Sequence, residues 1–139
     1  MASYSALLGV GGGIAAYKAA ELARALMERD FSVTTVMTEA AQEFIRPLTF
    51  AALTNRKVIT QMFGAGTADE VLASSVEHIR VAQEHQILVV APATADLLAR
   101  FAHGLANDFL TTLYLAFEGP VVLAPALNTA MRQHAATQA

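Results

Sequence analysis

The stretch Leu7–Lys18, LLGVGGGIAAYK, decides how the rest of the chain is read. A short apolar run enters the glycines Gly11–Gly13, and an alanine-rich segment with helical spacing follows at once. Glycine lacks a Cβ and tolerates positive φ, so the backbone there can turn sharply and approach a ligand closely. Unpaired N–H groups at the start of the next helix, backed by its dipole, favour an anion such as a nucleotide or flavin phosphate. The same stretch equally fits a strand–helix turn that binds nothing. Gly11-x-Gly13-x-x-Ala16 satisfies the dinucleotide pattern, with Glu39 placed for a ribose hydroxyl, but such a match is weak alone. No Gly-Lys-Ser/Thr follows the glycines, so kinase or NTPase chemistry is not indicated.

Outward from this turn, Tyr4–Val10 reads as a buried strand and Ile14 to Glu28 as a helix with Ala15, Ala19, Leu22, Ala23 and Leu26 on one face. Phe31–Met37 is a β-branched strand, and Thr38 begins a short helix that stops near Pro47. Leu48–Leu53 reads as a helix and Val58–Phe63 as an irregular edge segment. Gly64–Ser75 is expected to be a mobile loop, with His78 heading a short helix after it. Ile87–Val90 is a buried strand, Ala95–Ala102 and Asp108–Phe117 are helices, and Val121–Ala124 is the last strand. Alternating strands and helices predict an α/β, Rossmann-like (flavodoxin-like) three-layer domain, its parallel sheet covered by helices on both faces. Ligands in such sheets bind beyond the carboxyl ends of the strands. Gly11–Gly13, Thr38, Thr94–Asp96 and Asn128 all follow strands, which converges them on one crevice.

The composition narrows the function classes. The chain has 139 residues, enough for one domain with a real core. It has no cysteine, which excludes disulfides and thiolate-bound metal, and its four histidines show no metal-ligand spacing. A net charge of −3 gives no electrostatic case for nucleic acid or an anionic membrane. With 55% hydrophobic residues but no membrane-length apolar run, the surplus points to a subunit interface in a cytoplasmic oligomer.

Several side chains admit two readings. His78 offers an imidazole as general base, or is a surface or capping histidine; His85 and His134 read as solvated and His103 as a helix end. Asn128 either caps the next helix or offers an amide to a substrate carboxylate. Thr38 and Thr94 are caps, or hydroxyls turned toward a phosphate, while Asp96 and Asp108 read as acids at helix N-termini.

GGIAAYKAAEL (Gly12–Leu22), VMTEAAQEFIRPLTFAALTN (Val36–Asn55), His78–Ile79, APATA (Ala91–Ala95), HGLANDFLTT (His103–Thr112) and PALNTAM (Pro125–Met131) occur in that order. In this the chain resembles the homo-oligomeric flavin-containing cysteine decarboxylase family, closest to the members acting on 4′-phosphopantothenoylcysteine in coenzyme A biosynthesis. The resemblance implies flavin mononucleotide (FMN) along Gly12, Gly13 and Thr38, with Pro92, Ala93, Thr94, Ala95 and Ala126 lining the flavin. It implies His78 as catalytic base, Asn128 on the substrate carboxylate, no metal, and a trimer or dodecamer. The implied reaction oxidises and decarboxylates the cysteinyl group and reduces the enethiol to 4′-phosphopantetheine. Gly11 stands where the family commonly has Thr or Ser, Asp96 where it has Asn, and Leu127 where it has Met. The family continues into a segment with a proton-donating cysteine, so residues 1–139 are expected to be a C-terminally truncated flavoprotein domain. A peptidyl-cysteine decarboxylase, a flavin prenyltransferase, an inactive flavin-binding regulator and an NAD-binding regulatory module are the alternatives.

Overall fold

Leu7 and Leu8, neighbours in β1 (Tyr4–Val10), are both fully buried yet belong to different cores. Successive strand side chains point to opposite faces, so a strand apolar at every position must be covered on both sides. The computed structural model describes residues 3–60 and 68–139, the side chains of 68–75 excepted, and shows that cover. Ala16, Ala19 and Ala23 of α1 (Ala16–Glu28) pack with Leu8, Val10 and Met37 on one face. Their small side chains let the helix lie close on the sheet. Phe50 of α2 (Pro47–Thr54) completes that side. On the other face Leu7, Leu88 and Val90 meet Val81 of α3 (Ala68–Gln83), Leu97 and Phe101 of α4 (Ala95–Ala102), and Leu110 and Leu113 of α5 (Phe109–Ala116).

The sheet has the order β2-β1-β3-β4, with β2 at Phe31–Met37, β3 at Ile87–Ala93 and β4 at Val121–Pro125, and every pairing is parallel. From β1 the chain moves to β2 on one side, then crosses to β3 on the other. The carboxyl ends of β1 and β3 therefore flank a topological switch point, where neighbouring connections diverge and leave a crevice. Two short helices, α6 (Thr129–Gln133) and α7 (Ala135–Gln138), follow β4.

The strands at Tyr4–Val10 and Phe31–Met37 and the helix at Ala95–Ala102 have the expected bounds. After β2 the expected short helix is a 3-10 turn over Ala40–Glu43. Of the edge segment expected at Val58–Phe63, Ile59 forms an isolated parallel bridge with Val36, and residues 61–63 lie outside the described ones. The loop expected over Gly64–Ser75 is corrected: the chain is helical from Ala68, and residues 64–67 lie outside the described ones. His78 accordingly sits well inside a 16-residue helix rather than heading a short one. Serines in the sequence suggested a loop, but a mid-helix serine costs only about half a kcal/mol, and Arg80 pairs with Glu77 and Glu84 along this helix.

Candidate functional site

The glycine turn owes its composition to crowding, not to positive φ. A Cβ on Gly11 would stand 2.3 Å from the Pro92 carbonyl oxygen, and one on Gly12 would stand 2.4 Å from the Ala40 Cβ. The ends of β1, β2 and β3 are thereby drawn together at the switch point. Among these positions Gly13 has ordinary space, its nearest neighbour being Thr94 Cγ2 at 3.4 Å. Gly11 thus excludes the Thr or Ser that the resemblance led one to look for there.

Each polar residue at a strand end serves as a cap. Thr38 Oγ1 accepts the Ala41 N–H at 3.1 Å and donates to the Val10 carbonyl at 3.4 Å, tying β1 to the 3-10 turn. Thr94 Oγ1 accepts from Leu97 N at 3.2 Å, and Asn128 Oδ1 from Met131 N at 2.8 Å. Asp108 forms a reciprocal capping box with Thr111, its Oδ1 accepting the Thr111 N–H at 2.8 Å. Such caps satisfy first-turn donors that otherwise lack partners. The Asn128 cap is made by Oδ1, and the amide nitrogen has no partner among the described residues.

These elements enclose a cavity of about 710 Å³ at the switch point. Gly12, Thr38, Thr94 and Ala95 line it, as do Glu39, Asp96, Arg100, Asn107 and Met131. That volume is in the range of cofactor sites. Other expected residues stand outside the lining. Pro92, after a cis Ala91–Pro92 bond, and Ala93 are buried, and Ala93 belongs to the core. Ala126 donates its N–H to the Ala93 carbonyl, which holds the end of β4 against β3. Asn128 reaches the cavity only through Met131, whose N–H it caps.

His78 does not line this cavity either; it is half-buried on α3, and its Nδ1 is buried with no hydrogen-bond partner among the described residues. His85, expected to be solvated, is corrected. Its Nδ1 lies 2.7 Å from the Val81 carbonyl and its Nε2 2.9 Å from the Thr34 hydroxyl, which also accepts from Arg56 Nε at 3.0 Å. A carbonyl can only accept, so Nδ1 carries the proton and Nε2 receives the Thr34 hydroxyl. Burial pushes the His85 pKa below its ordinary value of 6.5 and Arg56 and Arg80 act the same way, against the Val81 carbonyl and Glu84.

Sequence reasoning missed Arg100 and Asn107. Arg100 Nε donates to Asp96 Oδ2 at 2.8 Å, and its Nη1 donates to Asn107 Oδ1 at 2.9 Å. The i,i+4 spacing of Asp96 and Arg100 was a visible signal, whereas the approach of Asn107 depends on the α4–α5 connection. Among the described residues no group of His, Cys, Asp and Glu is placed to hold a metal, and no helix is long and apolar enough to cross a membrane.

A profile described as Flavoprotein matches residues 1–139. The chain belongs to the Flavoprotein family. Within it, the coenzyme A biosynthesis bifunctional protein CoaBC of Vibrio cholerae serotype O1 is 49% identical over 138 residues, covering 99% of this chain and 33% of the relative. This flavoprotein chain thus spans about a third of the length of the curated relatives it matches. The crystal structure of the FMN-dependent cysteine decarboxylase SpaF aligns with a TM-score of 0.83 at 32% identity, covering 99% of this chain and 76% of that one. A PPC decarboxylase mutant complexed with pantothenoylaminoethenethiol aligns with a TM-score of 0.77 at 27% identity, over 97% and 73% of the respective chains. The flavodoxin-like α/β architecture is shared with these structures.

Proposed function

We propose that residues 1–139 act as one flavoprotein domain that binds FMN and decarboxylates 4′-phosphopantothenoylcysteine in coenzyme A biosynthesis. The observation that carries this reading is the near-complete match of the chain to the CoaBC relatives, coupled with a cofactor-sized cavity at the switch point. The cavity fits the cofactor's demands: a turn with no room for a Cβ at Gly11 or Gly12, a helix N-terminus, and a guanidinium among the lining groups. Gly12, Thr38, Thr94 and Ala95 would hold the flavin from this side, with Gly13, outside the lining but beside Thr94, and Pro92, Ala93 and Ala126 forming the frame behind it.

FMN held along Gly12, Thr38, Thr94 and Ala95 would supply a two-electron oxidant for the cysteinyl group, the chemistry that a decarboxylation of this substrate needs. His78 removes a substrate proton; its buried Nδ1 has no partner among the described residues. Asn128 directs its amide N–H at the substrate carboxylate, binding it without adding charge. His78 lies outside the cavity of its own chain, which supports a homo-oligomer, a trimer or dodecamer, in which facing copies complete the site. Exposed Ile14, Tyr17, Phe44 and Leu48 supply apolar surface for such an assembly. A biosynthetic enzyme for a soluble phosphorylated substrate belongs in the cytoplasm.

Mass spectrometry of the released cofactor, combined with turnover of phosphopantothenoylcysteine, tests the proposal. FMN and carbon dioxide release are expected. A protein that binds no added FMN overturns the cofactor assignment, and a flavin-loaded oligomer that releases no carbon dioxide overturns the reaction.

A further inference from the structure

We infer that Arg100, held by Asp96 and Asn107, is the receptor for a phosphate monoester inside the switch-point cavity. Two of its nitrogens are committed, Nε to Asp96 and Nη1 to Asn107, while Nη2 has no partner among the described residues. The side chain is 31% exposed, so the fork is held partly out of water beside the cavity. Guanidinium groups bind phosphate through paired N–H donors, and a group already oriented loses less freedom on binding.

The charge of the lining makes this residue decisive. Glu39, Glu43, Asp96 and Asp108 also line the cavity, and among the described residues Arg100 is its one cationic lining residue. Asp108 is engaged in its capping box and Asp96 in the Arg100 pair, but Glu39 and Glu43 stand exposed at the 3-10 turn. A dianionic phosphate entering past those carboxylates is repelled at that side and attracted toward Arg100. Asp96 is a positioning residue: its charge-assisted bond to Nε at 2.8 Å fixes the guanidinium plane. The inference rests on the proposed function for its ligands, because both FMN and the 4′-phosphorylated substrate carry a phosphate monoester.

The test compares FMN with riboflavin, which lacks the phosphate, on the full chain freed of flavin. It also compares 4′-phosphopantothenoylcysteine with pantothenoylcysteine in turnover. If the flavin phosphate is the ligand, Arg100→Gln weakens FMN about 10–100-fold and riboflavin less than threefold, as expected for a charge-assisted contact. Arg100→Lys restores only part of that loss, and Asp96→Ala shows a smaller loss of the same selectivity. If the substrate phosphate is the ligand, both flavins bind Arg100→Gln normally, and KM rises selectively for the phosphorylated substrate. Equal losses for FMN and riboflavin, or for both substrates, mean a merely structural residue and overturn the inference. If the wild-type chain turns over neither substrate, the proposed reaction fails separately, and an unchanged FMN-to-riboflavin ratio in Arg100→Gln then overturns the inference by itself.

Discussion

The carbonyl oxygen of Pro92 occupies the place where a Cβ of residue 11 would have to be, at 2.3 Å. Gly11 directly follows β1 and Pro92 is the penultimate residue of β3, so this contact sets how closely the two walls of the crevice approach. Gly11→Ala should therefore force backbone movement and destabilise the protein by about 1–3 kcal/mol, as overpacked sites do. Gly13→Ala meets only ordinary contacts and should change stability by less than about 1 kcal/mol. Urea unfolding of both variants checks the pair, and equal stability would contradict the crowding argument.

Thr38 links β1 to the 3-10 turn through one hydroxyl. Thr38→Val keeps the shape but leaves the Ala41 N–H without its acceptor, a loss of about 0.5–2 kcal/mol for a removed cap. Thr38→Ser should recover most of it. Flavin titration should follow the same order, because the turn lines the cavity. A Thr38→Val protein as stable as the Ser variant would remove the cap from the account.

If His78 is the base of the proposed reaction, His78→Asn should bind flavin with an unchanged spectrum and release carbon dioxide about 10²–10⁴-fold more slowly. Its Nδ1 has no hydrogen-bond partner among the described residues, so global stability should hardly change. Rates equal to wild type would return His78 to a structural role.

His85 ties α3 to β2 through Thr34, with Arg56 on the far side of the hydroxyl. Its folded pKa is lowered by burial, so the unfolded chain binds the proton more readily. The stability it contributes is complete above about pH 6.5 and is lost as pH falls from there through the lower folded value. Denaturation midpoints measured from pH 8 to pH 5 should fall for the wild type and fall less for His85→Gln. Parallel profiles would show that His85 does not contribute to the pH dependence of stability.

The ends of β1 and β2 were legible because their apolar runs stop at Gly11 and Thr38, whereas β3, expected to stop at Val90, runs on through Pro92 to Ala93. The caps at Thr38, Thr94 and Asn128 were legible as one of two readings, and geometry shows that reading in each case. The start of α3 was not, since the composition at Gly64–Ser75 resembles a loop and the helix draws support from ion pairs further along it. His85 was misread because exposure of a histidine depends on whether a hydroxyl such as that of Thr34 lies across from it, 51 residues away. Arg100 was overlooked for a related reason: Asp96 lies within one helical turn of it, but Asn107 arrives through a chain reversal that no short-range pattern encodes.

β1 and β3 each have strands on both sides, whereas β4 pairs with β3 alone among the described strands, and Val122 is 49% exposed. Backbone amides are protected from exchange with solvent deuterium in proportion to the cost of opening the structure around them. The amides of Leu7–Gly9 and Leu88–Val90 should therefore be the last to exchange, and those of β4 the first within the sheet. A partner strand laid along β4 would slow its exchange without touching the centre, making that strand a built-in reporter of whatever joins the sheet at its open edge.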